Sequence, residues 1–540
     1  MTNPTAQVTY DYIIVGGGSA GCVVANRLSA SPHQVGLFEA GGENNSLLVD
    51  MPGGVASFMR WRKFNWLYRS NDGLPLRDGK GLYTPRGKGL GGSSAINAMI
   101  YTRGAATDYQ QWAAVSSPAW DWPQVLERFK KLERNQRGAD AFHGDQGPLH
   151  VSDHRPHFAV AEQFLAAATE VGIPHNPDFN GAELFGVGAY QFTTYQGKRW
   201  SARKAFLEPA LTRPNLTVHT GCMVERVVFE GTRAIGIHYR HKGKLCFARA
   251  NKEVILSGGA LNSPQLLKLS GVGPAAELQQ FGISVVADRS EVGENLQEHV
   301  DVMLQYRNAR KDGITINPVG LAKLTKGLWD FLRYKRGPLA SPPSEVGGFL
   351  RSSEQIETPD IQLHMVPTRF NDSGYDLIPA LSHGYACHVC VLRPKARGRV
   401  YLQSPDAQQP PGFVYQFLQH EDDQKVLLSG VKQALAIMQA QALAEHNGGV
   451  VVPQHTASDS ELLAELQRHV GLIYHPTSTC RMGNDEQSVV DPELRVRGVT
   501  NLRVVDASIM PQVVSGNTNA PTMMLADIGA DFILADADSP

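Results

Sequence analysis

His475 stands in a hydroxyl-rich loop, Tyr474-His475-Pro476-Thr477-Ser478-Thr479, and Asn519 lies near the chain's end in Gly516-Asn517-Thr518-Asn519-Ala520-Pro521. Histidine ionises closest to neutrality of the ordinary side chains, so it suits a proton transfer at neutral pH. An amide donates a hydrogen bond but takes up no proton, so it suits holding a developing oxyanion. The pair fits the oxidation of an alcohol, in which the hydroxyl loses its proton to a base and the carbinol hydrogen leaves as hydride. Only His475 of the two serves as that base. Asn519 has a second, compatible reading as a helix N-cap, because Pro521 falls in the first turn of a helical run.

The hydride needs an acceptor, and residues 12–39 supply a place for one. An apolar stretch, Tyr12–Val15, runs into Gly16-x-Gly18-x-x-Gly21, then a helix-like stretch, then a second apolar stretch ending at Glu39. In such a unit the first glycine makes a tight turn, the second admits a pyrophosphate close to the backbone, and the third lets helix and strand pack closely. Ser19 and Ala20 open the helix, whose free N–H groups and dipole favour an anion. Glu39, followed by Ala40, sits about 20 residues on, where an acid holds ribose hydroxyls. The unit implies a bound dinucleotide and does not by itself separate FAD from NAD.

Composition narrows the remaining classes. The chain has 540 residues, a formal net charge of −1, 19% charged and 42% hydrophobic residues. That length suits more than one domain, and the charge balance offers no field for nucleic acid. No apolar run reaches transmembrane length, and the opening MTNPTAQVTYDY lacks the basic and apolar regions of a secretory leader. The expectation is a cytoplasmic protein, at most peripheral on an inner membrane. Six cysteines are too few for a disulfide scaffold. Cys387-His388-Val389-Cys390 lies in an apolar run with no second ligand pair nearby, which favours buried strand thiols over zinc, and no metal site is expected.

These segments need a frame. Residues 10–40 read as a strand–helix–strand unit and 85–104 (PRGKGLGGSSAINAMIYTRG) as a Gly/Ser-rich loop leading into a small-residue helix. Residues 105–135 read as mostly helical and 160–172 as an amphipathic helix. Residues 216–256 read as successive strands, and Asn262-Ser263-Pro264 as a helix start. Between 311 and 460, strand-like runs surround a basic amphipathic stretch at 321–336. There Leu321, Leu324, Leu328 and Leu332 share one face, and Lys323, Lys326, Arg333, Lys335 and Arg336 supply charge. A helix with a solvated basic face is the commoner source of such a pattern; a helix lying in a membrane interface is the other. Residues 460–470 read as helix, 501–506 as strand and 520–535 as a final helix.

The glycine motif, the 85–104 loop, SGGALNSPQLLKLSGVG at 257–273, YHPTSTCRMG at 474–483 and VVDASIMPQVVSGNTNAPTMMLAD at 504–527 together resemble the glucose–methanol–choline (GMC) oxidoreductases, over nearly the whole chain and in that family's order. Within the family the chain resembles bacterial alcohol dehydrogenases that use an acceptor other than NAD, among them alkane-pathway and polyethylene glycol enzymes, and then choline dehydrogenase. The resemblance implies an α/β fold, α+β overall. A discontinuous Rossmann-like FAD-binding domain would take 1–154, 200–310 and 462–540, and a substrate-binding domain with a mixed or antiparallel sheet would take 155–199 and 311–461.

It also implies roles. His475 matches the catalytic base, and Asn519 is aligned with the family's second catalytic position. Gly87 and Gly92 would bring backbone N–H groups to the cofactor, with Asn97 and Met99 near the flavin ring. Val224 would meet the adenine, Asp506 and Ala507 the ribityl–phosphate region, Thr518 and Tyr474 the flavin, and Trp66 would cover it. Some relatives attach FAD through a histidine where this chain has Ile96, so the FAD is expected to be non-covalent. Glu345, Met365 and Tyr474 are the candidate substrate contacts. The expected activity is oxidation of a primary aliphatic or polyether alcohol to the aldehyde, with electrons passed to a quinone-like acceptor. An alcohol oxidase making hydrogen peroxide and a choline dehydrogenase are the alternatives.

Overall fold

Tyr12–Val15 and Val35–Phe38 carry apolar side chains on both faces and are buried on both, as strands inside a covered parallel sheet must be. A computed structural model of the protein describes residues 7–454 and 458–537. Residues 1–6 and 538–540, at the two ends of the expected FAD-binding domain, and 455–457, in the expected substrate domain, lie outside the described residues.

Strand Gln7–Val15 is central to the first, seven-stranded sheet. It runs parallel to Val35–Phe38, which pairs in turn with Leu216–His219, and on its other side to Lys244–Leu256. Two antiparallel strands, Arg233–His241 and Cys222–Glu230, extend that side, and Leu502–Val504 returns beside the end of Lys244–Leu256. The final helix, Asn519–Ala537, is buried along most of its length beside helix Ser19–Leu28. Its buried Asp527 accepts hydrogen bonds from Arg27, from Arg128 at 2.9 Å and from Lys131 at 3.3 Å. A buried carboxylate requires such partners, and these tie three helices together.

The second sheet is antiparallel throughout. Its order is Asn447–Val452, Val300–Asn308, Gly384–Val391, Ile361–Val366, Val346–Leu350 and Gly186–Ala189, with Gly471–Leu472 beside Val300–Asn308. Helices Glu421–Gln439 and Ala159–Glu170 pack against it. Strand Val300–Asn308, placed with the FAD-binding segments by a boundary at 310, runs inside this second sheet. Cys387 and Cys390 are free, buried thiols of strand Gly384–Val391.

Two local expectations need correction. Residues 85–104 contain no α-helix: a single 3-10 turn, Gly92–Ala95, gives way to strand Ile100–Tyr101, because Gly91, Gly92 and Met99 take positive φ angles that no α-helix contains, and the first α-helix after the loop is Ala106–Val115. The helix expected to begin at Asn262 begins at Gly259 and carries Pro264 inside it. Proline has no N–H for the carbonyl four residues earlier, and that carbonyl, of Ala260, accepts instead from Thr479 Oγ1 at 2.7 Å. The histidine-bearing loop is thereby fastened to this helix.

Candidate active site

A cavity of about 880 Å³ runs from the Gly16–Gly21 turn past His475 and on beneath helix Pro318–Tyr334. Its first half is built for a long anionic ligand. A Cβ on Gly18 would meet nothing within 4 Å, whereas one on Gly21 would stand 1.9 Å from the Gly16 carbonyl oxygen. Gly21 is thus a packing residue behind the turn, and Gly18 faces open space. Gly18 also precedes helix Ser19–Leu28 without a side-chain cap, so the helix's first N–H groups remain for a ligand. The Gly91 N–H donates to the Gly17 carbonyl at 2.7 Å, and a Cβ on Gly92 would lie 2.7 Å from Gly18 Cα. The 85–104 loop therefore closes over the turn at a distance only glycine allows.

Glu39 accepts from the N–H groups of Gly17 (2.8 Å), Gly41 (2.7 Å) and Gly89 (2.9 Å), holding three glycine-rich turns while facing the cavity. Asp506, across the cradle, accepts from Gly259 N–H and Ser508 N–H, both at 2.8 Å, and from the Ser263 hydroxyl at 2.5 Å. Gly16, Ser19, Ala20, Ala40, Trp66, Gly87, Asn97, Met99, Val224, Tyr474, Ala507 and Thr518 line the same cavity, as do Gly18, Gly92, Glu39 and Asp506; Gly21 does not. Ile96 lines it too, and its hydrocarbon side chain offers no atom for a covalent link.

Beyond the cradle His475 projects from a turn flanked by two non-glycine residues with positive φ, Tyr474 and Ser478, a conformation that only surrounding structure can impose. Glu298 helps impose it: one carboxylate oxygen accepts from the backbone N–H of both His475 (2.7 Å) and His299 (2.9 Å). Arg86 donates to the Tyr474 carbonyl at 2.6 Å. Burial pushes the Glu298 carboxyl up to about 8, opposed by the Arg86 guanidinium. Burial, with smaller contributions from His299, His364 and Arg86, holds His475 well below the ordinary histidine range, so its ring is neutral at pH 7.

The hydrogen bonds fix which ring nitrogen of His475 is bare. His299 Nε2 lies 3.1 Å from the Val514 carbonyl, which only accepts, so that nitrogen carries the hydrogen. Burial pushes His299 down to about 4, so the ring is neutral and its Nδ1 is bare. His299 Nδ1 faces His475 Nδ1 at 3.0 Å, so His475 donates there and keeps its lone pair on Nε2. Asn517 Nδ2 lies 3.2 Å from that Nε2. The Asn517 amide is oriented by Gln362 Nε2 (3.2 Å) and the Thr102 hydroxyl (3.3 Å), both donating to its oxygen.

Asn519 takes no part in this contact. Its oxygen accepts from the Ser19 hydroxyl at 2.8 Å, which joins the N-termini of the first and last helices beside the cofactor cradle. The amide beside His475 is that of Asn517, two residues earlier. The last helix begins at Asn519, so this side chain is turned toward the neighbouring helix start, whereas Asn517 lies in the preceding loop.

GMC oxidoreductase family models match residues 10–301 and 394–526. The chain belongs to the GMC oxidoreductase family. It is 43% identical over 534 residues to an alcohol dehydrogenase [acceptor] of Pseudomonas putida, covering 98% of this chain and 96% of that one. It is 41% identical over 535 residues to a mitochondrial choline dehydrogenase of Mus musculus, covering 97% and 89%. The crystal structure of pyridoxine 4-oxidase from Mesorbium loti superposes with a TM-score of 0.87 at 29% identity, covering 96% of this chain and 98% of that one. This GMC oxidoreductase is an FAD enzyme, and the cradle described above fits an FAD pyrophosphate and ribose.

Beyond His475 the cavity of this family member is walled by apolar side chains, among them Ile314, Ile316, Leu324, Leu339, Val366 and Leu377. Of the expected substrate contacts only Tyr474 lines it. Glu345 is buried away from it, accepting from the His157 N–H at 2.8 Å and from Ser341, with His154 Nε2 at 3.2 Å. Met365 lies in strand Ile361–Val366, where side chains alternate between faces. Its neighbours His364 and Val366 line the cavity, and Met365 packs into the core on the opposite face.

His299, His364 and Glu298 were not singled out in the sequence. His299 and Glu298 sit in Gln297-Glu298-His299-Val300, an unpatterned strand entry, and only the pairing of Gln297 with Thr477 in space brings them to His475. The donor atoms of Glu298, His299 and His475 lie within 4.8 Å of one another, a cluster the hydrogen bonds above account for.

Proposed function

We propose that this GMC oxidoreductase oxidises a neutral primary alcohol of aliphatic or polyether type to the aldehyde. The observation that carries the reading is the chemistry of the cavity beyond His475. Among the described residues its wall is mostly apolar; its polar members, among them His364, Thr368 and Arg369, include no acid, and the acids that line the cavity, Glu39 and Asp506, belong to the dinucleotide cradle. An ammonium substrate would call for an acid or an aromatic cage at this end. The buried acid nearby, Asp301, is closed off by His388 Nδ1 at 2.8 Å and by the Cys390 thiol at 3.4 Å. Choline dehydrogenase relatives at 41% identity keep choline as the second reading.

In the proposed reaction the alcohol hydroxyl lies against both His475 Nε2 and Asn517 Nδ2, taking over the hydrogen bond those atoms make to each other at 3.2 Å. His475 Nε2 takes the hydroxyl proton. His299 Nδ1 accepts from the Nδ1–H of the resulting imidazolium, which keeps the bare nitrogen on the substrate side and stabilises the new charge. Asn517 Nδ2 donates to the developing alkoxide. His364 faces the same space with both ring nitrogens unpartnered, so it supplies a further hydrogen bond to the bound alcohol. Bound FAD supplies the hydride acceptor at its N5. The first turn of helix Asn519–Ala537 faces the cavity through Thr518, Asn519 and Thr522, where its positive end favours an anion. The FAD is held without a covalent bond, and the reducing equivalents pass to a quinone-like acceptor rather than NAD.

The test is a comparison of kcat/KM for octanol and choline with a soluble quinone analogue as acceptor. Octanol is expected to be the better substrate by at least about 100-fold, because choline would lose its ammonium hydration against an apolar wall. A preference for choline would overturn the reading.

A further inference from the structure

Helix Pro318–Tyr334 is held to the protein by few side chains. Asn317 caps it, its oxygen accepting from the Gly320 N–H at 2.8 Å, and only Gly320, Gly327 and Phe331 of its 17 residues are buried. Most of its apolar stripe is otherwise uncovered: Leu321 is 52% exposed, Leu328 38% and Leu332 46%, with Leu324 half-buried, and Trp329 at the stripe's edge is 66% exposed. Leu321 and Leu328 also line the active-site cavity, so this stripe forms part of the cavity's mouth. The adjoining turn Ile378–Leu381 adds Ile378 and Leu381, both largely exposed, and is tied to the helix start by Asn317 Nδ2 donating to the Leu381 carbonyl at 3.2 Å. Leu377 and Ala380 of the same stretch line the cavity as well.

Charge singles out the partner. The stretch 318–336 carries Lys323, Lys326, Arg333, Lys335 and Arg336 against one acid, Asp330, although the whole chain has a net charge of −1. Around the helix axis Lys326 and Arg333 follow directly after the leucine stripe and Trp329, the arrangement of a helix lying flat in a membrane interface. A protein partner or a second copy of this near-neutral chain would not call for such a local excess.

We propose that helix Pro318–Tyr334 and turn Ile378–Leu381 form a docking surface for an anionic phospholipid bilayer, set around the mouth of the active-site cavity. Docking brings the mouth against the lipid, where an apolar alcohol and a quinone are concentrated. That entry route rests on the substrate class proposed above; the docking does not.

The test is co-sedimentation of the full-length FAD-loaded protein with vesicles of equal parts phosphatidylglycerol and phosphatidylcholine, against vesicles of phosphatidylcholine alone, at low and high salt. Binding is expected to the anionic vesicles, to weaken with salt, and to fall about fivefold for each basic residue removed in K326Q and R333Q. Trp329→Ser with Leu332→Ser is expected to abolish it while flavin content stays unchanged. No binding to anionic vesicles, or binding untouched by these substitutions, would overturn the proposal. So would a dimer in solution that the Trp329→Ser, Leu332→Ser variant converts to monomer, since the surface would then be an interface between copies. A failed octanol assay with intact vesicle binding would overturn only the substrate reading.

Discussion

His299 touches neither the cavity's open space nor the cradle, yet the proton arrangement of the base depends on it. Replacing it with alanine removes the acceptor for His475 Nδ1–H, found at 3.0 Å, and frees the ring to place its hydrogen on Nε2, where it can no longer take a proton. A hydrogen bond to a charged group contributes about 1.5–3 kcal/mol, and His475 carries its charge in the transition state. At about 1.4 kcal/mol per factor of ten, His299→Ala is expected to slow flavin reduction about 10- to 150-fold. The assay is anaerobic stopped-flow reduction of the bound flavin at saturating alcohol, with flavin content and melting temperature as controls. His299→Asn can present an amide oxygen near the position of the lost Nδ1 and is expected to recover much of the rate. The effect belongs in the limiting rate rather than in KM, because the alcohol does not touch His299. A His299→Ala enzyme with full flavin content and a rate within about threefold of the native one, or an asparagine variant no better than alanine, would refute the tautomer argument.

Other expectations follow from the same geometry. Asn517→Ala should lower the limiting rate of flavin reduction about 100-fold, the usual cost of one oxyanion donor, whereas Asn519→Ala should leave that rate nearly unchanged and loosen FAD retention, read by ultrafiltration. Because His475 titrates well below the ordinary histidine range, the rate of flavin reduction should stay flat from pH 8 to below 6.5 and fall only in more acid solution; a midpoint at or above about 6.5 would contradict the burial argument. Burial brings folded His299 down to about 4 from its ordinary 6.5, so between those values the unfolded chain binds the extra proton. Stability is therefore full above pH 6.5 and declines as pH falls toward 4, by about 3 kcal/mol from this group, and denaturant titrations of His299→Asn should show a shallower acid slope. Acid precipitation should release all of the flavin, since Ile96 offers no attachment.

The cofactor half of this protein is legible in its sequence because backbone constraints write themselves into residue types. Gly16, Gly21 and Gly92 are needed where φ is positive or another chain segment passes within a Cβ's reach, and Glu39 is needed where three glycine N–H groups converge. His475 stands out for a similar reason, lodged in a loop whose Thr479 hydroxyl fastens it to a neighbouring helix while Thr477 and Ser478 bond each other. The substrate half is far less legible. Met365 and His364 differ by one position in a strand, so a one-residue error in phase exchanges core for cavity. Glu345 looks like a free acid in sequence and is consumed by His154, His157 and Ser341. Asn517 and Asn519 share one short segment, and only the start of the last helix decides which one meets the base. His299 reaches His475 through pairing across 176 residues, which no local pattern records.

The account's central claim is that His475 Nε2 removes the hydroxyl proton of a neutral alcohol beside the FAD. The most direct measurement is anaerobic mixing of octanol with the FAD-loaded native enzyme and with His475→Ala, following the long-wavelength flavin absorbance. The account predicts rapid bleaching of the native flavin and a rate at least about 100-fold lower in His475→Ala at neutral pH, with the same flavin content. Equal bleaching rates in the two proteins, or no bleaching of the native flavin by octanol or any other neutral primary alcohol, would contradict it.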